Sequence, residues 1–159
     1  MDNPKLTNRI IKGDCQDVLL ALPNNCIDLI ITSPPYPNRH DYTRIYSLEL
    51  IFEFISSNEQ LKKIRYETLR SHVEAREKFS ANGYIQPKLL TKLIIQINKN
   101  GVNNPQVIDM IKGYFEDMYL CLREMSNCLN NKGKIGMVVS NVRFAGINIP
   151  VDKLLSSIG

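Results

Sequence analysis

No stretch of the 159-residue sequence holds the roughly 18 consecutive apolar side chains of a membrane-spanning helix, which excludes a helical membrane protein. The opening residues, 1–14, carry no apolar core of the kind a secretory leader has, so the expected location is the cytoplasm. Four cysteines are present (Cys15, Cys26, Cys121, Cys128), and no two are spaced as Cys-x-x-Cys. With only 2 histidines beside them, no metal site is expected. Four thiols in a chain of this length do not make a disulfide scaffold either, and they read as reduced intracellular thiols. Internal repeats and low-complexity tracts are also missing. The net charge of +4 permits a polyanionic partner without requiring one.

What remains is an ordinary globular composition, 43% apolar and 23% charged, in a length that fits one domain spanning 1–159. Arg9 to Lys12 is a short strand candidate closed by Gly13-Asp14, and Asp17 to Leu22 is a short helical pattern stopped by Pro23-Asn24-Asn25. Cys26 to Thr32 is a continuous apolar run with one acid, the pattern of a strand buried on both faces of a parallel sheet. Strand, helix, strand in so short a span predicts an α/β fold. Asp41 is a good N-cap for a helix over Tyr42 to Ile55. Residues 57–103 follow as a charged, helical insertion or a target-recognition region, with a solvated face as the plain reading of its charges. Asn104-Pro105 opens the strongest helix, whose stripe runs Ile108, Ile111, Phe115, Met118, Leu122, Met125, Leu129 and should be core. Asn130 to Gly133 should end that helix, Lys134 to Ser140 should be a second buried strand, and Val151 should start a further helix.

The segment Ile30 to Tyr42 reads IITSPPYPNRHDY, with Pro34, Pro35 and Pro37 directly after the buried strand. A proline-rich peptide ligand would need an exposed, extended segment, which a buried strand feeding into it does not offer. The C-terminal end of a central parallel strand is where open α/β sheets place their ligands.

Thr32-Ser33-Pro34-Pro35-Tyr36, preceded by Asp28-Leu29-Ile30-Ile31, resembles the catalytic loop of the amino-methyltransferases that modify exocyclic amines of DNA bases. Gly13-Asp14-Cys15 and Asp17-Val18-Leu19 upstream are similar to the element preceding that loop. The resemblance is close from Ile10 to Leu50 and loose from Gly133 to Leu155. It implies a Rossmann-like methyltransferase sheet, S-adenosylmethionine as cofactor, and double-stranded DNA with a flipped target base as substrate. It implies catalytic roles for Ser33, Pro34, Pro35 and Tyr36, with serine in the first position going mostly with N4 of cytosine rather than N6 of adenine. Asp14 and Cys15 fall at the cofactor position. Asn38, Arg39, Asn141 and Arg143 are candidate substrate contacts, while His40 is a loop histidine with no argument for a general base.

The sequence departs from the family in one respect: no Phe-x-Gly-x-Gly loop is found. Gly133-x-x-Gly136 and Phe144-Ala145-Gly146 come nearest without matching. The expectation is therefore an incomplete, partial or truncated copy of the sheet, with the helical insertion between the catalytic-loop strand and the next strand. A second chain could supply the glycine-rich loop. The other readings are a catalytically incomplete nucleic-acid- or partner-binding remnant, and an unrelated α/β domain.

Overall fold

The computed structural model of the chain describes residues 8–38, 40–75 and 81–159. Its elements run α1 (Cys15–Leu20), β1 (Ile27–Thr32), α2 (Tyr42–Ile45), α3 (Ser47–Glu53), α4 (Asn58–Glu67), α5 (Lys88–Asn100), α6 (Gln106–Cys128), β2 (Leu129–Met137), β3 (Val142–Phe144), β4 (Ile147–Ile149) and α7 (Val151–Ser156). Sequence dictates most of the helix starts. Asp14, Asp41 and Ser57 each accept a backbone N–H with their side chains at the heads of α1, α2 and α4. Asn104 does the same for the N–H of Gln106 ahead of α6.

Two small sheets form. β1 pairs with β2 in parallel, and β3 pairs with β4 as an antiparallel hairpin. Parallel pairing across a long, helix-bearing crossover is the α/β arrangement the sequence predicts. The hairpin was not expected. It turns on Ala145 and Gly146, both at positive φ, the conformation a two-residue hairpin turn requires.

The main core lies beside the sheet rather than around it. Leu90, Ile94 and Ile97 of α5 pack with Ile111, Tyr114, Phe115 and Met118 of α6, with Phe144 and Ile149 of the hairpin, and with Val151 and Leu154 of α7. Met137 and Val139 rest against this cluster from one face of β2 and the residues after it. Within the expected insertion, α5 thus contributes Leu90, Ile94 and Ile97 to the core, whereas α4 buries no residue. Deep inside, Arg70 grips Asp117 of α6 through Nη2–Oδ1 at 2.6 Å and Nε–Oδ2 at 3.0 Å.

Several expectations need correction. Residues 9–12 form no strand; among the described residues β1 pairs with β2 alone, so nothing offers them a ladder. β1 is not buried on both faces: Leu29 is 55% and Ile31 76% exposed, with Val138 exposed beside them. Among the described residues no helix packs extensively on β1, while the face bearing Met137 meets the core. The helix expected over Tyr42 to Ile55 breaks at Tyr46, whose φ and ψ of −101° and 24° leave the helical region, and α3 ends at Glu53. Asn130 to Gly133 do not form a turn between helix and strand, because α6 passes directly into β2 at Leu129. The register jumps from Ile27↔Leu129 to Leu29↔Lys134, so these four residues bulge opposite Asp28, which accepts from Asn130 Nδ2 at 2.6 Å. Gly133 suits that bulge, since a Cβ there would stand 3.1 Å from the Ile27 carbonyl. The second strand accordingly starts at Leu129 and stops at Met137.

Candidate active site

β1 delivers the proline corner. Its last carbonyl, Thr32, accepts from the N–H of Val138 at 2.9 Å, which ties the exit of β1 to the exit of β2. One residue on, Ser33 Oγ donates to the Val138 carbonyl at 3.3 Å and lies 3.4 Å from the Tyr36 hydroxyl. Because that carbonyl can only accept, the serine hydrogen is directed toward it, and the oxygen lone pairs point elsewhere. Prolines at 34, 35 and 37 have no N–H, so the loop carbonyls sit among few competing donors. Pro37 is buried and anchors the corner. The next residue, Asn38, returns its N–H to the Tyr36 carbonyl at 2.7 Å and accepts from the His40 N–H with its side chain.

Tyr36 and Asn38 line a cavity of about 470 Å³ whose other wall is Ser140, Asn141, Val142, Arg143 and Phe144. Four of the sequence candidates therefore line one cavity, Tyr36, Asn38, Asn141 and Arg143, and Ser33 adjoins it through its 3.4 Å contact with the Tyr36 hydroxyl. The hairpin explains how. Phe144 is buried in the core, which fixes β3 and leaves Arg143, its neighbour on the opposite face, exposed at the cavity rim. Asn141 has a second duty, since its Oδ1 accepts the Asp152 N–H at the head of α7 at 3.4 Å. Arg39 lies outside the described residues.

The two cofactor candidates separate. Asp14 caps α1, accepting from Gln16 N–H at 2.8 Å, and lines a cleft of about 410 Å³ with Arg9, Ile11, Lys12 and Gly13. Cys15 turns away, its Sγ 3.9 Å from that of Cys121 on α6. An acid at a cleft wall suits an amino group, as at the adenine end of the expected cofactor. Nothing in the sequence provides the glycine-rich backbone for its methionine end. The residues present thus fit one end of that molecule and not the other.

Sequence reasoning missed two features. The Val138 carbonyl, which orients Ser33, is a backbone atom of a residue whose side chain gave no signal. The second is an ionic cluster behind α2. Asp41 Oδ2 meets Arg65 Nε at 2.8 Å and Arg44 Nε at 3.1 Å, and Arg44 reaches Glu74 at 2.6 Å. Burial works to raise the Asp41 carboxyl, but the Thr43 hydroxyl, His72 and Arg65 outweigh it and hold it below the usual carboxylate value. His72, buried beside them, bonds Thr68 Oγ1 through Nε2, and burial pushes its imidazole below the ordinary value. Only the charge alternation of 57–79 hinted at this network, and alternation alone does not say which charges turn inward.

Among the described residues no group of histidines, cysteines and acids could hold a metal ion, and no helix is long and apolar enough to cross a membrane. No family model matches the sequence, and no solved structure matches it. Curated proteins do. Type II methyltransferase M.AvaI of Nostoc sp. is 34% identical over 160 residues, covering 94% of this chain and 33% of the relative, and M.AvaI of Anabaena variabilis gives the same figures. Type II methyltransferase M.BsoBI of Geobacillus stearothermophilus is 32% identical over 173 residues, covering 95% of this chain and 34% of the relative. The chain spans about one third of the length of these relatives. With an SPPY corner closing a parallel strand, the chain is similar over nearly its whole length to about one third of these Type II methyltransferases.

Proposed function

We propose that the proline corner takes the exocyclic amine of a DNA base, N4 of cytosine, and presents it for methylation by S-adenosylmethionine. The observation that carries this reading is the Ser33 hydroxyl, pinned by the Val138 carbonyl at the same corner as Tyr36 and its cavity. Such an amine is a poor nucleophile because its lone pair is delocalised into the ring. Two acceptors, Ser33 Oγ and the Pro34 carbonyl, would take its two hydrogens and favour the pyramidal form whose lone pair is free to attack. Tyr36 would stack on the flipped base, and Asn38, Asn141 and Arg143 would contact the base edge or backbone. The gain comes from positioning the amine rather than from a covalent enzyme intermediate. The bound cofactor supplies an electrophilic methyl group on sulfur. Asp14 would hold its adenine end, and the methionine end needs backbone this sequence does not contain. Residues 57–103 are the best candidate for reading the target sequence.

That requirement shapes the partner we propose: a polypeptide resembling the part of the relatives this chain does not span, carrying the glycine-rich loop. It would extend the sheet into a Rossmann-like one at the free edge of β1, by backbone pairing, and cover Leu29, Ile31 and Val138. A remnant of the fold that only binds nucleic acid or a partner is the second reading, favoured by the absence of Phe-x-Gly-x-Gly from these residues.

The test is nucleoside mass spectrometry on DNA from cells carrying the native locus. N4-methylcytosine is expected, and replacing Ser33 or Tyr36 by alanine should lower it at least about 10-fold. N6-methyladenine in its place would move the substrate assignment to adenine, and an undiminished signal in both variants would remove the corner from the chemistry. Calorimetry separates the remnant: it should give no heat with S-adenosylmethionine, alone or with the complementing polypeptide.

A further inference from the structure

The contact between Cys15 and Cys121 belongs to neither the base cavity nor the donor cleft, and the two residues stand 106 positions apart in sequence. Their sulfurs are 3.9 Å apart, van der Waals contact with nothing between. One thiol is exposed, on the first residue of α1, and the other is buried on α6. This asymmetry is that of an attacking and a resolving thiol, the pair a two-electron oxidant needs. We propose that Cys15 and Cys121 form an oxidant-responsive disulfide that clamps α1 to α6.

The electrostatics agree with the direction. The contact with Cys121 lowers the Cys15 thiol below its ordinary value, so Cys15 is the one of the two that carries thiolate character. The same contact, together with burial, raises Cys121 and keeps it protonated. In the first step the Cys15 thiolate attacks hydrogen peroxide. A sulfur–oxygen bond forms, the oxygen–oxygen bond breaks, hydroxide leaves, and Cys15 becomes a sulfenic acid. That step removes the negative charge and the hydrogen bond that had raised Cys121. Cys121 sulfur then attacks Cys15 sulfur, the S–O bond breaks, and the proton of Cys121 leaves with the hydroxyl as water. Two thiols and one peroxide give one disulfide and two waters. To bond, the sulfurs must close from 3.9 Å to about 2 Å. Cys26 and Cys128 are not so placed: Cys128 donates its S–H to the Leu19 carbonyl at 3.2 Å.

Because Asp14 caps the clamped helix and lines the cleft ahead of it, the bond would couple the geometry of that cleft to oxidation. The clamp itself does not depend on what the cleft binds.

The test uses the purified chain, reduced, then treated with a slight excess of hydrogen peroxide, blocked with iodoacetamide and mapped by peptide mass spectrometry. A Cys15–Cys121 peptide should dominate, with about 2 Da lost from the intact protein, and dithiothreitol should reverse it. Cys121→Ser should stop at a dimedone-reactive sulfenic acid on Cys15, which keeps the proposal testable if the double-cysteine map is complex. A higher melting temperature is expected for the oxidised protein, since the bond closes a long loop. Cys26–Cys128 or intermolecular disulfides as the main product, or sulfinic acid on Cys15 with Cys121 still alkylated, would overturn the proposal.

Discussion

Arg70 is a charged side chain that the fold has drawn inside, and its surroundings leave it little room. Asp117 takes it in a fork, Glu116 adds a third contact at 3.0 Å, and Gly113 passes so close that a Cβ there would lie 2.6 Å from Arg70 Cδ. Asp117→Ala would strand the guanidinium without its main partner, and we expect a loss of about 3–5 kcal/mol in chemical denaturation. Gly113→Ala should cost about 1–3 kcal/mol by displacing the same side chain. At this scale the proposed site is legible in sequence, because Ser33-Pro34-Pro35-Tyr36 are contiguous and the roles proposed for them rest on their own chemistry. Arg70 and Asp117 are not. Their partnership spans 47 positions and no local pattern records it.

At the scale of elements, α2 and α4 after the proline corner are joined by charges rather than by apolar burial: α4 buries no residue, and α2 buries only Thr43. Asp41, Arg44, Arg65, Glu74 and His72 do the holding. His72 in the folded chain has a value below the free 6.5, so on acidification the unfolded chain takes its proton first. Stability should be full above about pH 6.5 and fall as pH drops from there toward the folded value. A second loss should follow below 3.8, when Asp41, held low in the folded state, is finally protonated. Denaturation midpoints measured across that range check both, and His72→Asn should remove the first loss and leave a smaller second one, since Thr43 and Arg65 still hold Asp41 low. The helix starts at Asp41 and Asn104 were legible because capping is local, each acting within two residues. Asp14 instead reads as a strand-closing turn in sequence, and α1 begins at Cys15, two residues before the expected Asp17. The break at Tyr46 and the β3–β4 hairpin were not legible either, since apolar spacing alone does not distinguish one bent helix from two, or a three-residue strand from a loop.

For the whole molecule, the apolar run Ile27–Thr32 signalled a parallel strand correctly and its surroundings wrongly. Periodicity reports which residues are apolar, whereas burial depends on what else is there to cover them. Ile31→Lys tests the distinction. Because Ile31 is 76% exposed, the substitution should shift stability by no more than about 0.5 kcal/mol. It should nonetheless lower binding of a hydrophobic dye and weaken any complex with a sheet-completing polypeptide at least about 10-fold. A large stability loss would mean that the face is already covered within this chain.

The uncovered face of β1 also bears on lifetime in the cell. An open strand edge flanked by leucine and isoleucine is what chaperones hold and proteases find, and what nucleates intermolecular pairing at high concentration. Wherever the chain is made in excess of whatever covers that edge, the surplus should be cleared or precipitate.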